Sequence, residues 1–583
     1  MSSEIKVCQN CHKDFTIESE DFDFYKKIDV PYPTWCPECR LKRRLRFRNE
    51  RTFYRRKCDL CRKDMIGMYP PDTEFPVYCV RCWWSDGWDP ASYGRDFDFS
   101  RPFFDQLQEL MNKVPAISSM NDDGVGSVNC EYTYDWAFSK NCYLGACGWY
   151  VENGLYMYIV NHAKDIMDAW NVNNSELMYE SINCDKCYNC KYCELCFDSN
   201  NCVFGFDLRG CSDCVLCVGL RNKRYCILNR QYAKDEYEKE LAKLNLGSRA
   251  GIEANKKMFS EFSLQFPRRY THAPKTTNSS GFFLLEAKSA KQCFYCFSPI
   301  ENSSYIVIND RAKDSYDCIY TGNPELCYES VTPDNSRGNK FTVFCWKCVD
   351  AEYSNNCHSC TNVFGSAGLK HASYAILNKK YSKEEFETLR AKIAEHMKRT
   401  GEYGEFFPNK LSPFAYNESA ALDWFPVSKD EALRHGERWK DDEKKNYAIT
   451  KKPAELPDLI TEVQDDIVNE VIGCSHDGGC GEKCTAAFRI VPAELQLYRR
   501  FGVPLPVLCP NCRYYARFKR VNPPRLWKRS CDCGGPQSTS GVYKNTIPHS
   551  HGNTSCFAEF KTSYAPGRPE IVYCEGCYNA EVA

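Results

Sequence analysis

Four Cys-x-x-Cys pairs fall within the first 82 residues: Cys8/Cys11, Cys36/Cys39, Cys58/Cys61 and Cys79/Cys82. No other feature constrains the fold as much. A Cys-x-x-Cys turn puts two thiolates on one side of a tight loop, and two facing turns make a tetrahedral S4 cage, the closed geometry of structural zinc. Four thiolates leave no open position for water, so catalytic zinc is disfavoured. The chain holds 39 cysteines in 583 residues. A secreted protein would use them as disulfides. Here no apolar run precedes Cys8, so no signal peptide is expected. No 18-residue apolar stretch suggests a membrane span. The reading is a cytoplasmic, reduced, metal-bound chain.

The C-terminal region carries a second copy. The 35 residues from Phe24 align without a gap on those from Leu497. Tyr25 matches Tyr498; Cys36, Cys39 and Arg40 match Cys509, Cys512 and Arg513; Arg44 falls on Arg517 and Cys58 on Cys531. Cys11 and Phe15 match Cys484 and Phe488. A third zinc site is therefore expected at Cys480, Cys484, Cys509 and Cys512, with Cys474 and His476 as competitors. A fourth is expected at Cys531, Cys533, Cys574 and Cys577, with Cys556, His549 and His551 as alternatives. About four zinc ions follow, each worth about 10–16 kcal/mol of apparent folding free energy.

The pattern C-x-x-C-x-x-x-F, then F-Y, then P-x-x-C-x-x-C-R runs through Cys8, Cys11, Phe15, Phe24, Tyr25, Pro33, Cys36, Cys39 and Arg40. It resembles a short zinc-ribbon family of bacteria at both ends, about residues 8–40 and 480–513. The second copy departs by one residue at Cys480-x3-Cys484. The whole layout is similar to uncharacterised cysteine-rich zinc-ribbon proteins of uncultivated bacterial lineages. The resemblance implies zinc binding and no particular reaction.

Between Arg40 and Lys57 lie ten Lys or Arg and one acid, in a chain with 76 basic and 77 acidic residues. The segment after Pro37 predicts a short helix with Leu41 and Leu45 on its inner face. Arg40, Arg43, Arg44, Arg46 and Arg48 then spread outward. Their counterparts in the second copy are Arg513, Arg517, Lys519 and Arg520. Clustered arginines among aromatics suit phosphate contact and base stacking. Two alternatives stand beside this: charge compensation, of the anionic zinc cages or of acids from the middle of the chain, and an acidic protein partner. RNA is preferred over DNA because no major-groove reader is evident.

The middle is duplicated with one offset of 149 residues. "AKDIMDA" from Ala163 recurs from Ala312, "SELMYES" from Ser175 recurs from Pro324, and each copy ends in an amphipathic helix. The second helix opens on a Ser382/Glu385 capping box. Cysteines 184, 187, 190, 193, 196, 202, 211, 214, 217 and 226 sit on a three-residue grid. Three readings compete: a β-solenoid with small side chains stacked inward, an iron–sulfur cluster, and further zinc. Packing is preferred, because Cys184, Cys187, Cys190 and Cys193 correspond to Pro333, Ser336, Asn339 and Thr342. The carboxylates Asp165, Asp168 and Glu180 recur as Asp314, Asp317 and Glu329, which turns or caps explain more simply than catalysis.

The expected fold is mainly β with short helices: paired zinc ribbons at each end flanking two duplicated cysteine-rich β-solenoid-like domains. The division runs 1–95 (double zinc ribbon), 96–125 (linker with a short helix), 126–245 (first cysteine-rich repeat) and 246–280 (linker). It continues through 281–400 (second repeat), 401–472 (charged, helical linker) and 473–583 (double zinc ribbon). In the last linker "KDDEKKN" (440–446) reads as a solvated run and residues 456–472 as a helix. No nucleotide-binding loop or hydrolase, deaminase or metalloprotease motif is present. The leading reading is a non-catalytic multi-zinc protein that binds nucleic acid, with the question of an enzyme leaning to no. The alternatives are a protein-interaction scaffold and an iron–sulfur or redox protein.

Overall fold

The computed structural model describes residues 2–121, 126–441, 447–534, 545–552 and 554–582. Most of the charged run at 440–446 lies outside them. The chain divides into two compact units, each assembled from distant stretches of sequence. One is Met1–Asp123, Thr271–Asp441 and Pro523–Leu526; the other is Gly124–Tyr270, Asp442–Asn522 and Trp527–Ala583. The first cysteine-pair module thus shares a unit with the second cysteine-rich segment, and the last module with the first.

In each cysteine-rich segment the strands pair in parallel with a recurrent shift of twelve residues. Glu176 lies beside Tyr188 and Cys214 beside Cys226 in one. Tyr328 lies beside Lys340 and Thr361 beside Ser373 in the other. Within this ladder every third residue has a positive φ, for example Asn171, Asn174, Leu177, Glu180, Asn183 and Lys186. The left-handed conformation costs a non-glycine residue roughly 1–2 kcal/mol, so ladder hydrogen bonding and interior packing must offset it. Asparagine tolerates it best, and Asn side chains also chain along the ladder. Asn129 donates to Asn141 (3.1 Å), Asn141 to Asn153 (3.0 Å) and Asn153 to Asp165 (3.0 Å).

The residue after each left-handed position points inward. This is the row that carries the cysteines, and Cys184, Cys190, Cys193, Cys196, Cys202, Cys211, Cys214 and Cys217 are fully buried. Their thiols donate to backbone carbonyls. Cys184 reaches the oxygens of Ile182 (3.4 Å) and Cys193 (3.6 Å), and Cys217 those of Val215 (3.2 Å) and Cys226 (3.5 Å). The inward row also holds large side chains, Trp136, Met157 and Met178 among them, and glycine makes room beside Trp136 on the paired strand. A Cβ on Gly148 would lie 2.2 Å from the Trp136 ring.

The helices Lys234–Lys243 and Lys383–Thr400 close the two segments, the latter with the expected capping box. Helices also form at Phe103–Met111 and Arg249–Ser263. The helix expected over 456–472 does not form. Short 3₁₀ turns at Ile460–Glu462 and Asp465–Asn469 stand there instead, with Leu456, Ile460, Val463 and Ile467 buried. Tertiary packing of these apolar residues overrides the local helical pattern. Among the described residues no helix is long and apolar enough to cross a membrane.

Candidate metal centres and the buried arginine helices

Four knuckles share one backbone plan. A short antiparallel hairpin ends on the first cysteine, whose N–H bonds a carbonyl of the returning strand: Cys8 to Lys13 (2.9 Å), Cys58 to Lys63 (2.9 Å), Cys474 to Ala486 (2.7 Å) and Cys531 to Ala558 (2.9 Å). Two residues before each of those carbonyls stands the second cysteine: Cys11, Cys61, Cys484 or Cys556. The third cysteine starts a helix, and its N–H donates to the first sulfur: Cys36 to Cys8 (3.2 Å), Cys79 to Cys58 (3.2 Å), Cys509 to Cys474 (3.3 Å) and Cys574 to Cys531 (3.2 Å). The fourth lies in the first helical turn.

In each set the four sulfurs lie within 4.8 Å of one another: Cys8, Cys11, Cys36 and Cys39; Cys58, Cys61, Cys79 and Cys82; Cys474, Cys484, Cys509 and Cys512; Cys531, Cys556, Cys574 and Cys577. All these cysteines are free thiols. The donor set suits zinc, which takes four thiolates in a closed tetrahedron. The hydrogen bond from Cys39 pulls the Cys36 thiol down to about 5, and that from Cys474 pulls Cys509 down to about 3. Burial pushes Cys58 up, yet the backbone N–H groups of Cys61, Cys79 and Leu60 bring it down to about 7. Each of these three knuckles therefore holds a thiolate near neutrality, and a cation is what the remaining thiols need in order to ionise beside it.

The first two ligand sets are those expected from the spacing. In the third, Cys474 occupies the place assigned to Cys480, although Cys480 remains 3.6 Å from Cys512. In the fourth, Cys556 occupies the place assigned to Cys533. Cys533 in turn lies with His549, His551 and Cys577 in a group of donor atoms within 4.8 Å of one another. These two knuckles carry an insertion between the cysteines that take the first two places of the backbone plan, Cys474 and Cys484 in one and Cys531 and Cys556 in the other.

The arginines behave differently from the outward fan expected. In the helix Pro37–Leu45, Leu41 and Leu45 are buried as predicted. Arg40, Arg43, Arg44, Arg46, Arg48, Arg513 and Arg517 are each at most 4% exposed. Arg40 donates to Asp317 (2.8 Å), and Arg44 to Glu329 (2.8 Å) and Asp317 (3.1 Å). Arg43 bridges Glu329 and Glu405, both at 3.0 Å. Arg46 pairs with Glu437, and Arg48 donates to Glu50 (2.6 Å) while lying 3.6 Å from the centre of the Tyr320 ring. Burial alone would raise Glu329, but Arg43, Arg44 and Arg40 more than reverse this and hold it below the usual range.

The other unit repeats the arrangement. Arg513 lies 3.0 Å from Asp168 and 3.2 Å from Glu494, and Arg517 lies 2.7 Å from Asp168. The flanking groups correspond too. Asp21 accepts from the Tyr305 hydroxyl (3.1 Å), and Glu494 from Tyr156 (2.8 Å). Arg40 stacks over Tyr305 and Arg513 over Tyr156. Burial pushes Asp21 up to about 6 and raises Glu494 as well. The recurring carboxylates Asp168, Asp317 and Glu329 thus serve as counter-charges to the knuckle arginines. Only Lys519 and Arg520 of the nine expected phosphate contacts lie outside the core, paired with Glu482 and Glu194.

A scan against protein-family models finds no family that matches this chain, and no curated protein matches it.

Proposed function

We propose that this chain is a non-catalytic multi-zinc scaffold, in which zinc knuckles clamp two four-sided β-solenoids whose outer faces dock a partner. One observation carries the reading. The arginine helix that leaves each Cys-Pro-x-Cys knuckle is spent on buried acids of a cysteine-rich segment, so the knuckle acts as a fastener. The twelve-residue shift between paired strands supports the solenoid, and the thiol-to-carbonyl bonds of its inner row support packing over a redox cluster. The outer face carries an aromatic ladder suited to docking. Phe138 stacks on Tyr150 (5.1 Å), which stacks on His162 (4.7 Å), with Phe138 and Tyr150 about half exposed.

The nucleic-acid reading retains Lys519, Arg520 and the solvent-facing basic residues of the knuckle hairpins, such as Arg55 and Lys57. Titrating the zinc-loaded chain with single-stranded RNA over a range of salt decides between the two. The scaffold reading expects weak binding with a shallow salt slope. A slope corresponding to about six or more neutralised phosphates would overturn it in favour of RNA.

A further inference from the structure

The fourth knuckle holds more ligands than one ion can use. The insertion between Cys531 and Cys556 carries Cys533, His549 and His551. These three side chains and Cys577 form a second group whose donor atoms lie within 4.8 Å of one another. Cys577 belongs to both groups, so seven side chains serve two tetrahedra.

The imidazoles are already oriented for metal. His549 has its Nε2 2.9 Å from the Glu581 carboxylate, which leaves Nδ1 facing the Cys533 sulfur at 3.2 Å. His551 has its Nδ1 2.7 Å from the Thr554 carbonyl, which leaves Nε2 3.5 Å from Cys533 and 3.3 Å from Cys577. A ligating histidine characteristically gives its other ring nitrogen to a carboxylate or a carbonyl, which sets the tautomer and raises basicity at the metal. Asn545 adds an N–H to the Cys533 sulfur at 3.0 Å, the kind of bond that stabilises a thiolate. His549 and Glu581 are both buried, so the pair is fixed by the fold.

We propose that this knuckle is a binuclear centre for a divalent soft cation, zinc, with the Cys577 thiolate bridging the two ions. One ion takes Cys531, Cys556, Cys574 and Cys577; the other takes Cys533, His549, His551 and Cys577. Each position is then four-coordinate with protein ligands, which makes both ions structural. The second ion ties the insertion to the final helix, Glu575–Val582, through Cys577. The proposal rests on the zinc reading of the four tetracysteine sets and adds an ion to it.

The test is metal analysis of the full chain and its variants, followed by reloading with cadmium-113 for magnetic resonance. The wild type is expected to hold about five ions per chain, one more than the four tetracysteine sets provide. His549→Ala with His551→Ala removes one ion, as does Cys533→Ser. Cys577→Ser removes two, and scalar coupling between two cadmium nuclei reports the shared sulfur in the unaltered chain. A wild type with four ions that the histidine variant leaves unchanged overturns the second site. Loss of one ion in Cys577→Ser, with no coupling in the wild type, overturns the bridge. Fewer than about three ions in the wild type would instead defeat the zinc reading as a whole.

Discussion

Glu329→Gln is the sharpest perturbation of the knuckle-to-ladder contact. The substitution keeps shape and removes one negative charge from a site where Arg40, Arg43 and Arg44 face Asp317, Glu329 and Glu405. The two signs balance before the change and not after it. Glu329 is 1% exposed, with guanidinium nitrogens at 2.8, 3.0 and 3.9 Å. At an effective dielectric of about 20, a contact near 3 Å is worth about 5 kcal/mol of attraction before desolvation. Breaking one partner of a buried pair costs about 3–5 kcal/mol, because it leaves an uncompensated charge inside. A chain of this size does not unfold in two states, so the measurement should be local. Native-state hydrogen exchange over Tyr328–Val331 is suitable, since it reports opening of the strand that carries Glu329. The expected result is a fall of about 3–5 kcal/mol in opening free energy with unchanged zinc content at Cys8, Cys11, Cys36 and Cys39. A change below about 0.5 kcal/mol, the level of an ordinary surface substitution, would refute the claim that these arginines are held inside.

Three further outcomes follow from particular residues. Cys474→Ser should cost one zinc ion while Cys480→Ser leaves zinc content unchanged, as read by elemental analysis. Gly148→Val should disrupt the first ladder, because a Cβ there would overlap the Trp136 ring at 2.2 Å; loss of protease resistance over residues 128–167 would report it. Asp21→Asn should stabilise its unit at neutral pH. Burial raises this carboxyl to about 6 in the folded state from about 3.9 unfolded, so the native state binds the proton more tightly and loses stability as pH rises from about 4 through 6. The substitution should therefore gain about 1–3 kcal/mol at pH 7 and nothing at pH 4, measured as the difference in denaturation midpoint between the two chains at each pH.

Much of the fold was readable from local pattern. The Cys-x-x-Cys pairs announced the first two knuckles because nothing interrupts them, and Leu41 with Leu45 announced the inner face of the helix after Cys36. The three-residue cysteine grid announced an inward row of buried cysteines, and the structure adds the reason for the period: a left-handed residue at every third position. The third and fourth ligand sets were left with alternatives where insertions separate Cys474 from Cys484 and Cys531 from Cys556. Local spacing carries no information about which strand end faces which.

The arginines were misread for a different reason. Arg40 meets Asp317 across 277 residues of sequence, and no local rule links them. A trace was nevertheless present. Arg40 and Arg44 recur as Arg513 and Arg517 at the ends, Asp317 recurs as Asp168 in the middle, and the two duplications interlock in equivalent pairs. Two sets of charges of opposite sign, each preserved through its own duplication, are what a buried contact used twice would leave.

The central claim is that metal-closed knuckles hold the arginine helices against their acids. It is tested most directly by removing zinc with a chelator and following hydrogen exchange at the amides of Arg40–Leu45 and of Tyr328–Val331 in the same sample. The account predicts that both segments lose protection together and regain it on adding zinc back. Retention of protection at both segments after the metal has been stripped would contradict it.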